Sequence, residues 1–264
     1  MNRIDDKFNT LKKQGKKALI TFVTAGDPTK GDTLKLIEAM EQGGADIIEL
    51  GMPYSDPLAE GPVIQASSAR ALKNNFKMEN LFEIIEKART KTQIPLAIMI
   101  YFNCVFIYGV EKFFERAREV GADAIIIPDI SFEERDEFAQ ASEKYKVPAV
   151  SFVTPNSYER TEKMVKDSKG FVYCVSSLGV TGMREGFHKR LAEFTEEIKK
   201  YTDTPRAIGF GISEPEQIKE LKKYCEGVIV GSAIVKRVGE AESVKGAVEQ
   251  VKEYVGELRK ALDE

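Results

Sequence analysis

Eight short runs rich in β-branched and apolar residues recur along this chain, each followed by an amphipathic stretch long enough to return the backbone across a sheet. The runs begin at Ala18, Ala45, Pro95, Ala122, Pro148, Gly170, Arg206 and Gly227. Alternation of this kind implies repeated βα units, whose strands lie parallel because every crossover passes over a face of the sheet. A doubly wound open sheet alternates in the same way. Eight units in 264 residues match the strand count and length of a closed barrel, so the expected fold is a (β/α)8 TIM barrel, with residues 1–264 forming one domain.

The stretches between the runs carry apolar residues at spacings of three and four, as at Leu34, Leu36, Ile37 and Met40, or Phe113, Phe114 and Ala117. Those faces are expected to pack on the barrel. Gly44-Ala45-Asp46-Ile47-Ile48 is echoed by Gly121-Ala122-Asp123-Ala124-Ile125, each at a helix-to-strand junction where glycine suits a C-cap. Ile4, Phe8 and Leu11 fall at helical spacing ahead of the first strand and predict an N-terminal helix capping the barrel floor. The second and third strands are separated by about twice the usual spacing, and the segment after the sixth is also long, so these connections are expected to carry function.

The 39 basic and 42 acidic residues are spread along the chain and leave a net charge of −3, which offers no basic tract for nucleic acid. The first residues lack the apolar stretch of a signal peptide, and no later segment gives about 18 uninterrupted apolar residues. A soluble, cytoplasmic protein is the expectation. Cys104, Cys174 and Cys225 are widely spaced without a CxxC pair, and are expected to be reduced and structural.

Barrel chemistry gathers at the C-terminal ends of strands, here Phe22, Glu49, Tyr101, Asp129, Thr154, Ser177, Gly211 and Gly231. No lysine ends a strand, which argues against Schiff-base chemistry. His188 is the only histidine, so a Ser-His-Asp triad or a multi-histidine metal site is not expected, and carboxylates must carry any acid–base work. Glu49 ends the apolar run Ile47-Ile48, where burial would raise its pKa toward a useful range; the alternative is a carboxylate paired with a cation. Glu60, in a loop, is either a second site carboxylate or a solvated one.

Gly209-Phe210-Gly211-Ile212-Ser213 follows the seventh strand and Gly231-Ser232-Ala233 the eighth, positions where barrels bind phosphate through backbone N–H groups. Leu178-Gly179-Val180-Thr181-Gly182 after the sixth is a candidate lid with a hydroxyl. Phe22, Tyr101 and Phe210 can form a receptacle for a planar organic group, or pack as ordinary core.

From about Ala18 to Val238 the chain resembles the tryptophan synthase α-subunit family. The matching motifs are Phe22-Val23-Thr24-Ala25-Gly26-Asp27-Pro28, Glu49-Leu50-Gly51, Pro53-Tyr54-Ser55-Asp56-Pro57-Leu58-Ala59, Gly61-Pro62 and Gly179-Val180-Thr181-Gly182. The resemblance implies a lyase that cleaves indole-3-glycerol phosphate to indole and glyceraldehyde 3-phosphate, in tryptophan biosynthesis. It implies that Glu49 moves protons to the indole C3 and from the substrate hydroxyl, and that Thr181 and Gly182 help close the site. Gly211, Gly231 and Ser232 would hold the phosphate, while Phe22, Tyr101 and Tyr173 position the organic part. It further implies no cofactor and no metal in this chain, and a β-subunit partner that carries pyridoxal phosphate and docks on the loop from Pro53 to Pro57.

One position departs from the family motif, which has aspartate where this chain has Glu60. That carboxylate is assigned to the indole N–H, and an added methylene moves it by roughly 1 Å, a displacement that can cost about a hundredfold. Either neighbouring changes accommodate Glu60, or the chain is an impaired α-type subunit acting mainly as an allosteric activator of a β subunit. On the second reading, Glu60→Asp raises turnover. Another phosphate-binding barrel enzyme is the remaining alternative.

Overall fold

Strands β1 (Ala18–Thr24), β2 (Ile47–Gly51), β3 (Leu96–Met99), β4 (Ala124–Ile126), β5 (Ser151–Val153), β6 (Val172–Val175), β7 (Arg206–Gly209) and β8 (Gly227–Val230) run parallel in the order β4-β3-β2-β1-β8-β7-β6-β5. A bridge between Ile125 and Ala149 joins β4 to the residues leading into β5 and closes the sheet into a barrel. The molecule is described here by a computed structural model covering residues 2–58, 60–155, 160–175, 185–209 and 211–264, with the side chains of 185–188 outside that description.

Twelve α-helices lie among the described residues: α1 (Arg3–Lys13), α2 (Lys30–Gly43), α3 (Pro62–Lys73), α4 (Met78–Arg89), α5 (Phe102–Tyr108), α6 (Val110–Val120), α7 (Asp136–Tyr145), α8 (Thr161–Val165), α9 (Glu185–Lys199), α10 (Pro215–Leu221), α11 (Ser232–Glu240) and α12 (Val244–Asp263). The doubled spacing between β2 and β3 holds two helices, α3 and α4, together with the loop that carries Glu60. In α2, Leu36, Ile37 and Met40 are buried and Leu34 packs partly against them; in α6, Phe113, Phe114 and Ala117 are buried. Gly44 and Gly121 end α2 and α6 in the left-handed region, with φ of 101° and 85°, which a side chain would strain.

Asn2 caps α1 by accepting from the Ile4 N–H, and Asp5 completes a capping box. The helix buries Ile4, Phe8 and Leu11 against the inward residues Ala18, Ile20, Ile47, Ala97 and Phe171, so it plugs the barrel from below as expected. Burial of each large apolar side chain contributes about 1.5–3 kcal/mol, enough to hold a helix of this length in place.

Five strands begin later than their apolar runs: β2 at Ile47, β3 at Leu96, β4 at Ala124, β5 at Ser151 and β6 at Val172. At β5 the cause is chemical, because Pro148 has no N–H to offer a ladder and serves only through its carbonyl, which accepts from Ile125 N at 2.9 Å.

Candidate active site

Side chains alternate along each strand, so the residues two positions above the floor layer also point inward. On β1 and β2, Phe22 follows Ile20 and Glu49 follows Ile47; Phe22 and Glu49 then lie side by side in register. Above them a cavity of about 430 Å³ opens at the C-terminal ends of the strands, lined by Phe22, Glu49, Glu60, Tyr173, Gly211, Gly231 and Ser232 among others. With Thr154, which lines it too, eight of the residues singled out from the sequence thus meet around one space.

Glu49 is fully buried, and neither carboxylate oxygen has a hydrogen-bond partner among the described residues. Desolvation pushes its pKa from the usual carboxylate range up to about 8, because no cation or N–H donor stabilises the charged form. The cation-paired alternative does not hold among the described residues. Gly51, two residues on, exists for a neighbour's sake: a Cβ there would stand 2.5 Å from the Phe22 ring, which lies across the end of β2.

Glu60 reaches the same cavity from the loop after β2. Its carboxylate accepts a hydrogen bond from the Tyr101 hydroxyl, which in turn accepts from the Leu58 N–H at 2.8 Å. Tyr54 stacks on Tyr101 with ring centroids 4.6 Å apart. Tyr101 therefore stands behind Glu60, facing a smaller recess with Thr24, Met52 and Pro57, and does not line the main cavity. The helix after Glu60 is braced against β1 by a 2.6 Å contact between the hydroxyls of Thr24 and Ser67. A bidentate pair adds to the brace, with Arg70 donating to Asp27 at 2.8 and 2.7 Å.

Tyr173 stacks on Phe152 with centroids 4.4 Å apart and planes 11° from parallel, making a flat aromatic wall. Burial, then the negative charges of Glu49 and Glu60, raise the Tyr173 pKa well above its usual value, which keeps it a neutral donor.

At the other side of the mouth, Gly211 takes φ of +72° and Gly231 is the N-cap of α11. The N–H groups of Ile234 and Val235 both turn to the Gly231 carbonyl, so those of Ser232 and Ala233 have no acceptor within the helix. Two N–H groups at a helix start, with the positive end of its dipole, make an anion seat.

The strand-end reading overlooked Met99, Phe152 and Ile229, which also line the cavity. The signal was present: each stands two residues after a floor-layer residue, Ala97, Val150 or Gly227, and the period of two continues upward. Thr181 and Gly182, and with them Ser177 and Phe210, lie outside the described residues, as does the His188 side chain on α9. Cys104, Cys174 and Cys225 are free thiols. Among the described residues no group of three or more His, Cys, Asp or Glu is placed to hold a metal ion, and no helix is long and apolar enough to cross a membrane.

The family model described as Tryptophan synthase alpha chain matches residues 8–263. A tryptophan synthase alpha chain from Thermoanaerobacter pseudethanolicus is 48% identical over 262 residues, covering 99% of this chain and 100% of that protein. One from Clostridium kluyveri is 45% identical over 263 residues, covering 100% of both. The crystal structure of the tryptophan synthase alpha chain from Legionella pneumophila superposes with a TM-score of 0.91 at 30% identity, covering 100% of this chain and 98% of that one.

Proposed function

This chain belongs to the tryptophan synthase alpha chain family and is a carbon–carbon lyase, and on that premise we propose that its cavity cleaves indole-3-glycerol phosphate to indole and glyceraldehyde 3-phosphate. The observation that carries this reading is Glu49, a buried carboxyl without a hydrogen-bond partner among the described residues and with a pKa pushed up to about 8, in a cavity ringed by aromatic walls.

With its proton retained at neutral pH, Glu49 delivers that proton to the indole C3 and disrupts the ring's conjugation. The resulting carboxylate takes the proton from the side-chain hydroxyl adjoining the ring. The C–C bond breaks, its electron pair restores the indole, and the hydroxyl carbon becomes the aldehyde. Glu49 ends the cycle protonated, as it began. Glu60 accepts the indole N–H, held in place by Tyr101. Phe22 and Tyr173 sandwich the ring, while Gly211, Gly231 and Ser232 take the phosphate at the start of α11, with Thr181 and Gly182 closing over it.

The Tyr101 contact favours accommodation of Glu60 over impairment, since the longer side chain reaches the cavity while Tyr101, behind it, donates to its carboxylate. The chain carries no cofactor of its own in this scheme, and pyridoxal phosphate belongs to a β subunit. That partner docks on the loop from Pro53 to Pro57, next to which Leu58 is 88% exposed; α5, whose Asn103 donates to the Tyr54 hydroxyl at 3.4 Å, exposes Phe106 and Ile107. The cytoplasm is the proposed compartment.

Incubating the purified chain with indole-3-glycerol phosphate, with and without a β subunit, tests the reading. Release of indole and glyceraldehyde 3-phosphate in equal amounts is expected from the chain alone and faster with the partner. Tight binding of the substrate with no indole released under either condition overturns it.

A further inference from the structure

The two arms of the anion seat, the loop after β7 and the start of α11, belong to different βα units, and their spacing decides whether both reach one phosphate. A single side chain from a third element touches the first and is linked to the second through one arginine of α11. Tyr254 of α12, 3% exposed, donates its hydroxyl to the Ser213 carbonyl at 2.8 Å, two residues beyond Gly211. The face of the same ring carries the guanidinium of Arg237, 3.5 Å from its centroid. Arg237 lies on α11 and donates back to the Ala233 carbonyl at 2.9 Å, in the first turn of that helix. The Ser213 side is further secured by Gln217, whose Oε1 accepts from the N–H groups of Ser213 and Glu214 at 2.8 and 2.9 Å.

We propose that Tyr254 is a positioning residue for phosphate, fixing the distance between the loop at Gly211 and the helix start at Ser232. The proposal rests on the phosphate reading of that mouth given above. A hydrogen bond holds one arm and a cation–π contact the other, both on a ring locked by burial, so neither arm shifts without the other. Gly211 and Ser232 are free to meet a ligand because the groups restraining their segments sit one layer behind them. The hydroxyl stays a donor across the neutral range, since burial pushes the Tyr254 pKa up to about 12.

The test compares wild type with Tyr254→Phe, which removes one oxygen and keeps the ring. Affinity is measured by calorimetry for a non-cleavable phosphate-bearing analogue of the substrate and for its dephosphorylated counterpart, alongside steady-state kinetics with the substrate and melting temperature. The expected result is about fivefold weaker binding of the phosphorylated ligand, the size of one neutral hydrogen bond, with a matching rise in KM, kcat within about twofold, and unchanged affinity for the dephosphorylated ligand. Unchanged affinity for the phosphorylated ligand, or equal losses for both ligands, overturns the proposal. Should Tyr254→Phe melt too low to assay, Arg237→Met supplies the same comparison. It releases the α11 arm and is expected to weaken only the phosphorylated ligand, by about threefold; no selective loss there is equally fatal. Ser232→Asp, which sets a carboxylate in the anion seat, separates the two readings. If it leaves phosphate affinity intact, the seat itself is misplaced; if it abolishes binding while Tyr254→Phe changes nothing, only the positioning role falls.

Discussion

The floor and the mouth of this barrel both bury carboxylates, and they treat them in opposite ways. At the floor, Asp46, Asp123 and Glu226 each precede a strand and accept from a backbone N–H of the strand before it: Leu19 at 3.0 Å, Leu96 at 2.9 Å and Arg206 at 3.0 Å. Each also meets a guanidinium, of Arg259 at 2.9 Å, Arg89 at 2.6 Å and Arg206 at 2.8 Å. At Glu226 burial alone would raise the pKa, but the bonds and charge of Arg206 outweigh it and leave the pKa lowered. Glu49, a layer above, receives no such compensation and is pushed up to about 8. The same desolvation is thus overcome at Glu226, opposed but not overcome at Asp123, where burial still raises the pKa against Arg89, the Leu96 N–H and Arg3, and left unopposed at Glu49.

The largest effect expected from this contrast is a pH dependence of stability. Glu49 has a folded pKa raised above its unfolded value, so its contribution is intact below pH 4.5 and is lost as pH rises toward about 8. The full difference is bounded at about 5 kcal/mol. Chemical denaturation from pH 5 to 9 should show wild type weakening relative to Glu49→Gln; parallel curves would mean that Glu49 ionises at an ordinary pH and that the contrast is false.

Next in size, Glu49→Gln should lower kcat by about a thousandfold, equivalent to about 4 kcal/mol of barrier, while phosphate-ligand binding persists. Wild-type kcat/KM should fall as pH climbs through about 8, where the proton for the indole C3 is lost. A variant that keeps more than a tenth of wild-type turnover would take Glu49 out of the proton transfer.

On the floor, Asp123→Ala strands Arg89 and the Leu96 N–H in a buried setting and should cost about 3 kcal/mol of unfolding free energy in urea. Turnover of the folded fraction should stay within about twofold. A large fall in kcat without a fall in stability would erase the division between the two ends.

The smallest effect concerns Glu60. Because Tyr101 holds its carboxylate, Glu60→Asp should lower turnover about threefold, and the loss should vanish in a Tyr101→Phe background, giving a coupling of roughly 0.7 kcal/mol. A gain in turnover would instead restore the expectation drawn from the aspartate of the family motif.

What could be read beforehand followed from periodicity. The eight apolar runs, the capping helix with Ile4, Phe8 and Leu11, and the inward station of Glu49 all depend on spacing along the chain, and all stand. The echo at Asp46 and Asp123 pointed to a repeated junction, but its Arg259 partner lies 213 residues away, beyond any local pattern. The role of Tyr101 was equally hidden: it ends the β3 unit like the other strand-end residues, and only the path of the loop from Leu58 to Glu60 turns its hydroxyl away from the main cavity. Tyr254 sits in a helix whose spacing reads as plain core. Nothing in sequence separates a packed ring from one whose hydroxyl holds a loop.

The closure between β4 and β5 carries a mechanical consequence. Elsewhere neighbouring strands pair through three to five residues, yet here, among the described residues, the barrel's two margins meet through Ile125 alone, which donates to Pro148 and accepts from Val150. Pro128 and Thr154 line the cavity from opposite sides of that seam. Parting it breaks two backbone hydrogen bonds among the described residues and leaves every other ladder whole. The amides of Ile125 and Val150 should exchange with solvent ahead of those in β1.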